Sequence, residues 1–254
     1  MCGVLEGYAP GYAQDAISMM AARRAGDRAA FVMPHLGPAV TLLDVGCGPG
    51  SITTGLLPAG RVIAVDTEPS QLVYARRKHP RSKVEFLAAS AYALPLADSS
   101  VDVVFAHALF EHLSDPASAL AEFRRVLRTG GTLALSTSDW SRAKLRPKTA
   151  NVDAALRGHY LLRRRAGGDP FAGKHLPGRV QQAGFTDVRT HTRYRVDQSY
   201  KDLANYVEQR LIAALEQDTP DRDQLASAAR SAWTWSRGPS GDFTQCWVEV
   251  LATK

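Results

Sequence analysis

The stretch TLLDVGCGPG, residues 41–50, constrains the fold more than any other part of the chain. Apolar residues and one aspartate run straight into Gly46, Gly48 and Gly50, each one residue apart. Glycine lets a chain turn sharply where a strand ends, and it lets a ligand touch bare main chain. In an open parallel sheet, ligands bind at the carboxyl ends of the strands, where the strand order reverses. The turn therefore predicts a small-molecule site at the end of a first strand. Its spacing is G-x-G-x-G, with Ser51 where a dinucleotide fingerprint has its third glycine, and no Gly-Lys-Ser/Thr follows, so it is not a P-loop.

Short apolar, β-branched runs recur at 41–45, 61–66, 83–88, 101–106 and 131–137. Between them lie the helical patterns SITTGLL, PSQLVYARRKH and DPASALAEFRRVLR. Such alternation predicts βαβ units and a parallel sheet whose strands are buried on both faces. In the third helix, Asp115 caps the start and Pro116 takes the first helical position. Leu120, Phe123 and Leu127 form its buried stripe, and Arg124, Arg125 and Arg128 face outward. Two later strands, 185–196 and 244–253, alternate partly and suit a final antiparallel pair, making seven in all. Residues 138–184 and 197–243 interrupt the sheet pattern. With residues 1–40 they are expected to form a cap.

The 254 residues suit one α/β domain with such a cap. Three widely spaced cysteines, Cys2, Cys47 and Cys246, fit neither a disulfide framework nor a metal site. A reducing, cytoplasmic setting is the simple reading. The opening MCGVLEGYAP lacks the apolar core of a signal peptide, and no apolar run approaches the ~20 residues of a bilayer span. A net charge of +6 comes mostly from scattered arginines, as on a solvated surface. Arg163–Arg165 is the one dense run, read as a solvated helix face or an anion site. His159, His175 and His191 are isolated, so no metal is expected.

The second strand ends in Asp66, about 20 positions after the turn, where a carboxylate can accept both hydroxyls of a ribose. The plainer alternative is that Asp66 caps the helix at 69–78. The segments LLDVGCGPGSIT, VIAVDTEPSQL and AASAYALPLADSSVDVVFAHALFEHLSDPASALAEFRRVLRTGGTLALS resemble the successive motifs of class I S-adenosylmethionine-dependent methyltransferases. The similarity covers residues 41–137 without a gap and is greatest to the small-molecule branch of ubiquinone and menaquinone biosynthesis. GGDPFAGKHLPGRVQQAGFTDV and the late W-x-W and FTQCW resemble, less specifically, one bacterial subgroup.

The resemblance implies a Rossmann-like three-layer α/β sandwich of seven strands, mostly parallel, with the last antiparallel. It implies an N-terminal helical lid, 1–40, and a methyltransferase domain, 41–254, carrying the cap insertions. It also implies S-adenosylmethionine as cofactor and S-adenosylhomocysteine as product. Gly46, Cys47 and Gly48 would line the methionine part through main-chain groups, with Asp44 organising the turn through bonds to backbone or water. Asp66 would hold the ribose, Thr67 would pack beside the adenine, and the backbone at Ala106 would meet the cofactor's ammonium. Ser90 stands where the family usually has an adenine-binding aspartate, leaving a weaker bond there or support from Ala91. Cys47 is a small packing residue in the turn, not a nucleophile.

Methyl transfer from a sulfonium is an in-line displacement, so the protein mainly supplies alignment and water exclusion. His107 is the candidate general base. Tyr12, Glu111 and His112 are candidate substrate contacts, and Tyr8 is a weaker one. Arg23 or Arg24 can reach the cofactor carboxylate. Trp233, Trp235 and Trp247 read as pocket walls or as core. The acceptor is expected to be a small molecule of secondary-metabolite or cofactor type, methylated on oxygen, nitrogen or carbon. A nucleic-acid methyltransferase is the second reading, weakened because no RNA-binding module or Asn/Asp-Pro-Pro-Tyr/Phe motif is visible. A non-methylating cyclase or binding protein on the same fold is the third. A nicotinamide-dependent dehydrogenase is distant, since the turn lacks its third glycine. No motif sets an oligomeric state.

Overall fold

The computed structural model describes residue 17 and residues 20–254. Each apolar run of the sequence becomes a strand. They are β1 (Thr41–Val45), β2 (Arg61–Asp66), β3 (Glu85–Ala88), β4 (Val101–His107), β5 (Leu127–Arg146), β6 (Thr186–Arg195) and β7 (Asp242–Thr253). They form one sheet in the order β3-β2-β1-β4-β5-β7-β6. β1 to β5 pair in parallel, and β7 runs antiparallel to both β5 and β6. The expected mostly parallel sheet with its last strand reversed is what forms. The order turns around between β1 and β4, so the switch point lies at their carboxyl ends.

Successive side chains of a strand point to opposite faces, and here both faces are covered. Leu43, Val45, Val104 and Ala106 pack with Leu120 and Phe123 of α3 (Pro116–Val126) and Leu176 of α5 (Ala172–Gln182). Leu42, Val62 and Phe105 face the other way, against Ala29 just beyond α1 (Ala25–Arg28) and Leu56. On that same side α2 (Pro69–Lys78) packs Leu72 and Ala75 against Ala64 and Phe86. The third helix starts as read: the Asp115 side chain accepts from Ser118 N at 3.0 Å, and Pro116 is its first residue.

Three expectations shift. SITTGLL forms only a 3-10 turn, Thr53–Leu56, because β-branched threonines and Gly55 are poor helix formers. Gly55 also sits so close to Ala25 that an added Cβ would lie 2.4 Å from the alanine methyl. The third helix stops at Val126, and Leu127 already belongs to β5. β5 itself continues past residue 137 to Arg146, because after a break between Asp139 and Lys144 it pairs with β7 again.

The remaining helices, α4 (Ala150–Arg165), α6 (Tyr200–Leu215) and α7 (Arg222–Arg237), pack on one another around Leu156, Leu203, Val207 and Leu225. Gly158 permits this: a Cβ there would stand 2.4 Å from that of Ala228. α5, within the 138–184 stretch, packs on the sheet instead. No helix of the described residues is long and apolar enough to cross a membrane.

Phe123 is fully buried and meets Phe110 edge to face at 5.9 Å. Phe123→Ala is expected to lower unfolding stability by about 3–5 kcal/mol with an unchanged urea m-value. Urea titration of the two proteins measures it.

Candidate active site

The turn after β1 is built from glycines in the left-handed region: Gly46 at φ 75° and Gly48 at φ 52°. A Cβ on Gly46 would also press to 3.1 Å from Leu109. Main-chain N–H groups of Gly46 and Cys47 both donate to the Val65 carbonyl, at 2.8 and 3.0 Å. The Gly48 N–H donates to Asp66 Oδ2 at 2.7 Å, and Glu68 N–H donates to Asp66 Oδ1 at 3.0 Å. Asp66 therefore braces the turn. The cap of α2 is Glu68, whose side chain accepts from Ser70 N at 3.1 Å, so the capping alternative for Asp66 falls.

Beneath the turn Asp44 is buried, and its partner is the Thr53 hydroxyl at 2.6 Å rather than backbone. Burial lifts its carboxyl to about 7, the Thr53 bond works against that, and the nearby Asp66 charge adds to it. Burial also raises the Asp66 carboxyl, opposed by the bonds from Glu68 and Gly48. The Cys47 thiol is pushed well up by burial, which keeps it an inert packing group.

A single pocket opens over this turn. Asp66, Thr67 and Gln71 form one wall, and Ser90, Ala91 and Tyr92 another. Phe105, His107, Leu109 and His112 line the β4 side, and Met20 and Arg23 close the last. The His107 ring is buried and stacks on Trp247, centroids 4.7 Å apart at 22°. Both its ring nitrogens are buried without a hydrogen-bond partner. Burial holds its pKa well below the ordinary histidine value, and the Arg23, Arg28 and Arg195 charges push the same way. Burial depresses His112 too, with Arg163 and Arg23 adding to it. Both imidazoles are neutral at neutral pH.

Residues 43–135 match the methyltransferase domain family. An uncharacterized methyltransferase of Schizosaccharomyces pombe is 30% identical over 227 residues, 82% of this chain and 81% of that one. The chain belongs to the class I S-adenosylmethionine-dependent methyltransferases. A malonyl-[acyl-carrier protein] O-methyltransferase of Pectobacterium atrosepticum is 34% identical to this methyltransferase over 143 residues, 55% of each chain. The phosphoethanolamine N-methyltransferase 2 of Haemonchus contortus, solved with phosphomonomethylethanolamine and S-adenosylhomocysteine, shares the fold. Its TM-score is 0.59 at 15% identity, over 90% of this chain and 53% of that one.

In this methyltransferase the fold brings Asp44, Gly46, Cys47, Gly48, Asp66 and Thr67 to one pocket, with Ser90, Ala91, His107 and His112 facing them. The Ser90 hydroxyl accepts from Tyr92 N at 3.2 Å. One expected residue is elsewhere. Glu111 turns away and accepts from the Thr137 hydroxyl and from the Ser138 hydroxyl, the latter at 3.0 Å, pinning its loop to β5. The Ala106 side chain is buried with Leu120 and Phe123, while its main chain, the part expected to meet the ammonium, directly precedes His107 at the end of β4. Tyr8 and Tyr12 lie outside the described residues.

Arg23, not Arg24, lines the pocket; Arg24 bonds to the Ala21 and Arg23 carbonyls. Trp247 backs His107, Trp235 is core of the helical group and Trp233 is exposed. The Arg163 run is not a solvated face throughout. Arg163 is buried, donating to His159 Nε2 at 3.2 Å, and Arg165 pairs with Asp221. No group of metal-ligating side chains occurs among the described residues.

Sequence reading missed Met20, Leu109 and Gln71. Gln71 is the most telling, since its amide oxygen and nitrogen are both buried on the pocket wall without a partner. The available signal was a glutamine in the first turn of the helix that follows Asp66.

The raised pKa of Asp44 gives a stability test. The folded chain keeps a proton there that the unfolded chain releases above its ordinary value of 3.8. Stability from this group is therefore full below the ordinary value and is lost as pH rises through about 7. Asp44→Asn should flatten the decline in unfolding free energy between about pH 4 and about pH 7, by a few kcal/mol at most, in urea titrations across that range.

Proposed function

We propose that this methyltransferase binds S-adenosylmethionine over the Gly46–Gly48 turn and transfers its methyl group to a small-molecule acceptor. The observation that carries the reading is the brace between Gly48 and Asp66 at the sheet's switch point. It sets bare main chain and a carboxylate side by side. The residues present fit the donor. The glycine cradle accepts a close ligand, and Asp66 offers acceptor oxygens to a vicinal diol. The orphan Gln71 amide awaits a polar partner, since a buried amide left unbonded costs about 1–3 kcal/mol. Ala91, Leu109 and Leu113 supply apolar surface for a flat base.

When bound, the donor supplies a methyl group already activated by its positive sulfur. The chain's own part is to orient, to exclude water and to receive a proton where the acceptor has one to lose. His107 ends β4 against the pocket and is neutral, so one ring nitrogen is open to a hydrogen bond from an acceptor hydroxyl or amine. Its lowered proton affinity makes it an orienting acceptor more than a strong base. The Pectobacterium relative is named for malonyl-[acyl-carrier protein], so the group methylated there is small although a protein carries it.

Two measurements test this. Calorimetry should show S-adenosylmethionine binding in the micromolar range, abolished by Asp66→Ala; no binding by the intact protein ends the reading. In the same titrations Gln71→Leu should bind the donor about tenfold or more weakly while melting at a higher temperature without it, because a burdened amide is gone. Separately, His107→Ala should cut turnover of an acceptor by about a hundredfold or more with donor affinity nearly kept. Equal turnover in the two proteins would remove His107 from the mechanism.

A further inference from the structure

The wall formed by Met20 and Arg23 belongs to a segment outside the sheet, and that segment is tied down at two points. At the near tie the Ser51 hydroxyl donates to the Met20 carbonyl at 2.9 Å. Met20 Sδ also lies 3.8 Å from where a Cβ on Gly48 would stand. At the far tie Arg28, on α1, donates from Nη1 to Asp197 Oδ2 at 3.2 Å and from Nη2 to Oδ1. Asp197 Oδ2 also accepts from the Trp247 indole N–H at 2.9 Å. Arg195 adds a bond to the Asp27 carbonyl.

Trp247 joins this tie to the pocket. Its ring stacks on His107, and the guanidinium groups of Arg23 and Arg28 stand 5.8 and 5.5 Å from its centroid. Asp197 itself does not line the pocket. The Arg28 and Asp197 side chains are only 11% and 23% exposed, so their attraction is less screened than that of a surface pair.

We infer that Asp197 is a positioning residue for the donor pocket: by locking Arg28 and the Trp247 indole together it fixes where Arg23 enters the site. The inference rests on the proposed donor reading and deepens it. The group that Arg23 would meet is anionic, the α-carboxylate at the amino-acid end of the donor, recognised by a guanidinium fork. Removing the Asp197 charge opens the far tie and frees the Arg23 segment. The turn, Asp66 and the other walls on the sheet stay in place.

Calorimetry with two probes separates this from a merely structural role. S-adenosylhomocysteine carries the amino-acid end; 5′-methylthioadenosine lacks it. Asp197→Asn should weaken S-adenosylhomocysteine by about tenfold or more, the size of one charge-assisted hydrogen bond, and leave 5′-methylthioadenosine within about twofold. Arg28→Ala should give the same selective loss, and the double variant no further loss, because both changes open one tie. If Asp197→Asn does not fold, Arg28→Lys serves in its place, with a smaller loss of the same selectivity. Equal weakening of both probes, or unchanged S-adenosylhomocysteine affinity in a folded variant, overturns the inference. A wild-type protein that binds neither probe sinks the donor reading itself.

Discussion

The Gly48 N–H and the Asp66 carboxylate meet at 2.7 Å and tie the turn after β1 to the end of β2. Much else at the site is arranged around that contact. Gly48 itself holds a positive φ, a conformation that a side chain would strain. The neighbouring N–H groups of Gly46 and Cys47 are taken by Val65, one residue before Asp66, so turn and strand end are joined by three bonds in succession. A side chain on Gly46 would run into Leu109, which is why the turn is bare on the side that faces β4.

Charge is distributed around this brace in two zones. Below it, Asp44 and Asp66 repel each other in a buried setting, and the Thr53 hydroxyl holds the deeper one. Beyond β4, guanidinium groups gather about Trp247, and burial leaves the two histidines of the pocket uncharged, with arginine charges adding to it. The pocket over the switch point spans both zones, with carboxylates at one end and cations at the other.

Much of the sheet was legible because strands buried on both faces need continuous apolar runs, and the runs at β1, β2 and β4 are unbroken. The glycine turn after β1 was legible because glycine spacing is local. β5 was misjudged in length, since its last residues are strand only through pairing with β7, about a hundred positions away in sequence. Glu111 was misplaced for a related reason. Whether a loop glutamate finds two hydroxyls on β5 depends on packing that no short motif records. Gln71 escaped notice because an orphaned amide is visible only once its surroundings are.

The long fifth strand has an architectural consequence. Trp140 and Leu145 of β5 and Phe243 of β7 sit in the interior of the three-helix group, so that group shares its backbone with the sheet. The stretch that carries the family signature, residues 43–135, contributes neither β6 nor β7. Cut back to that stretch, β5 would lose its outer neighbour and the far half of its length. The signature and the sheet are thus different objects in this chain, and the three-helix group cannot be exchanged as a detachable module.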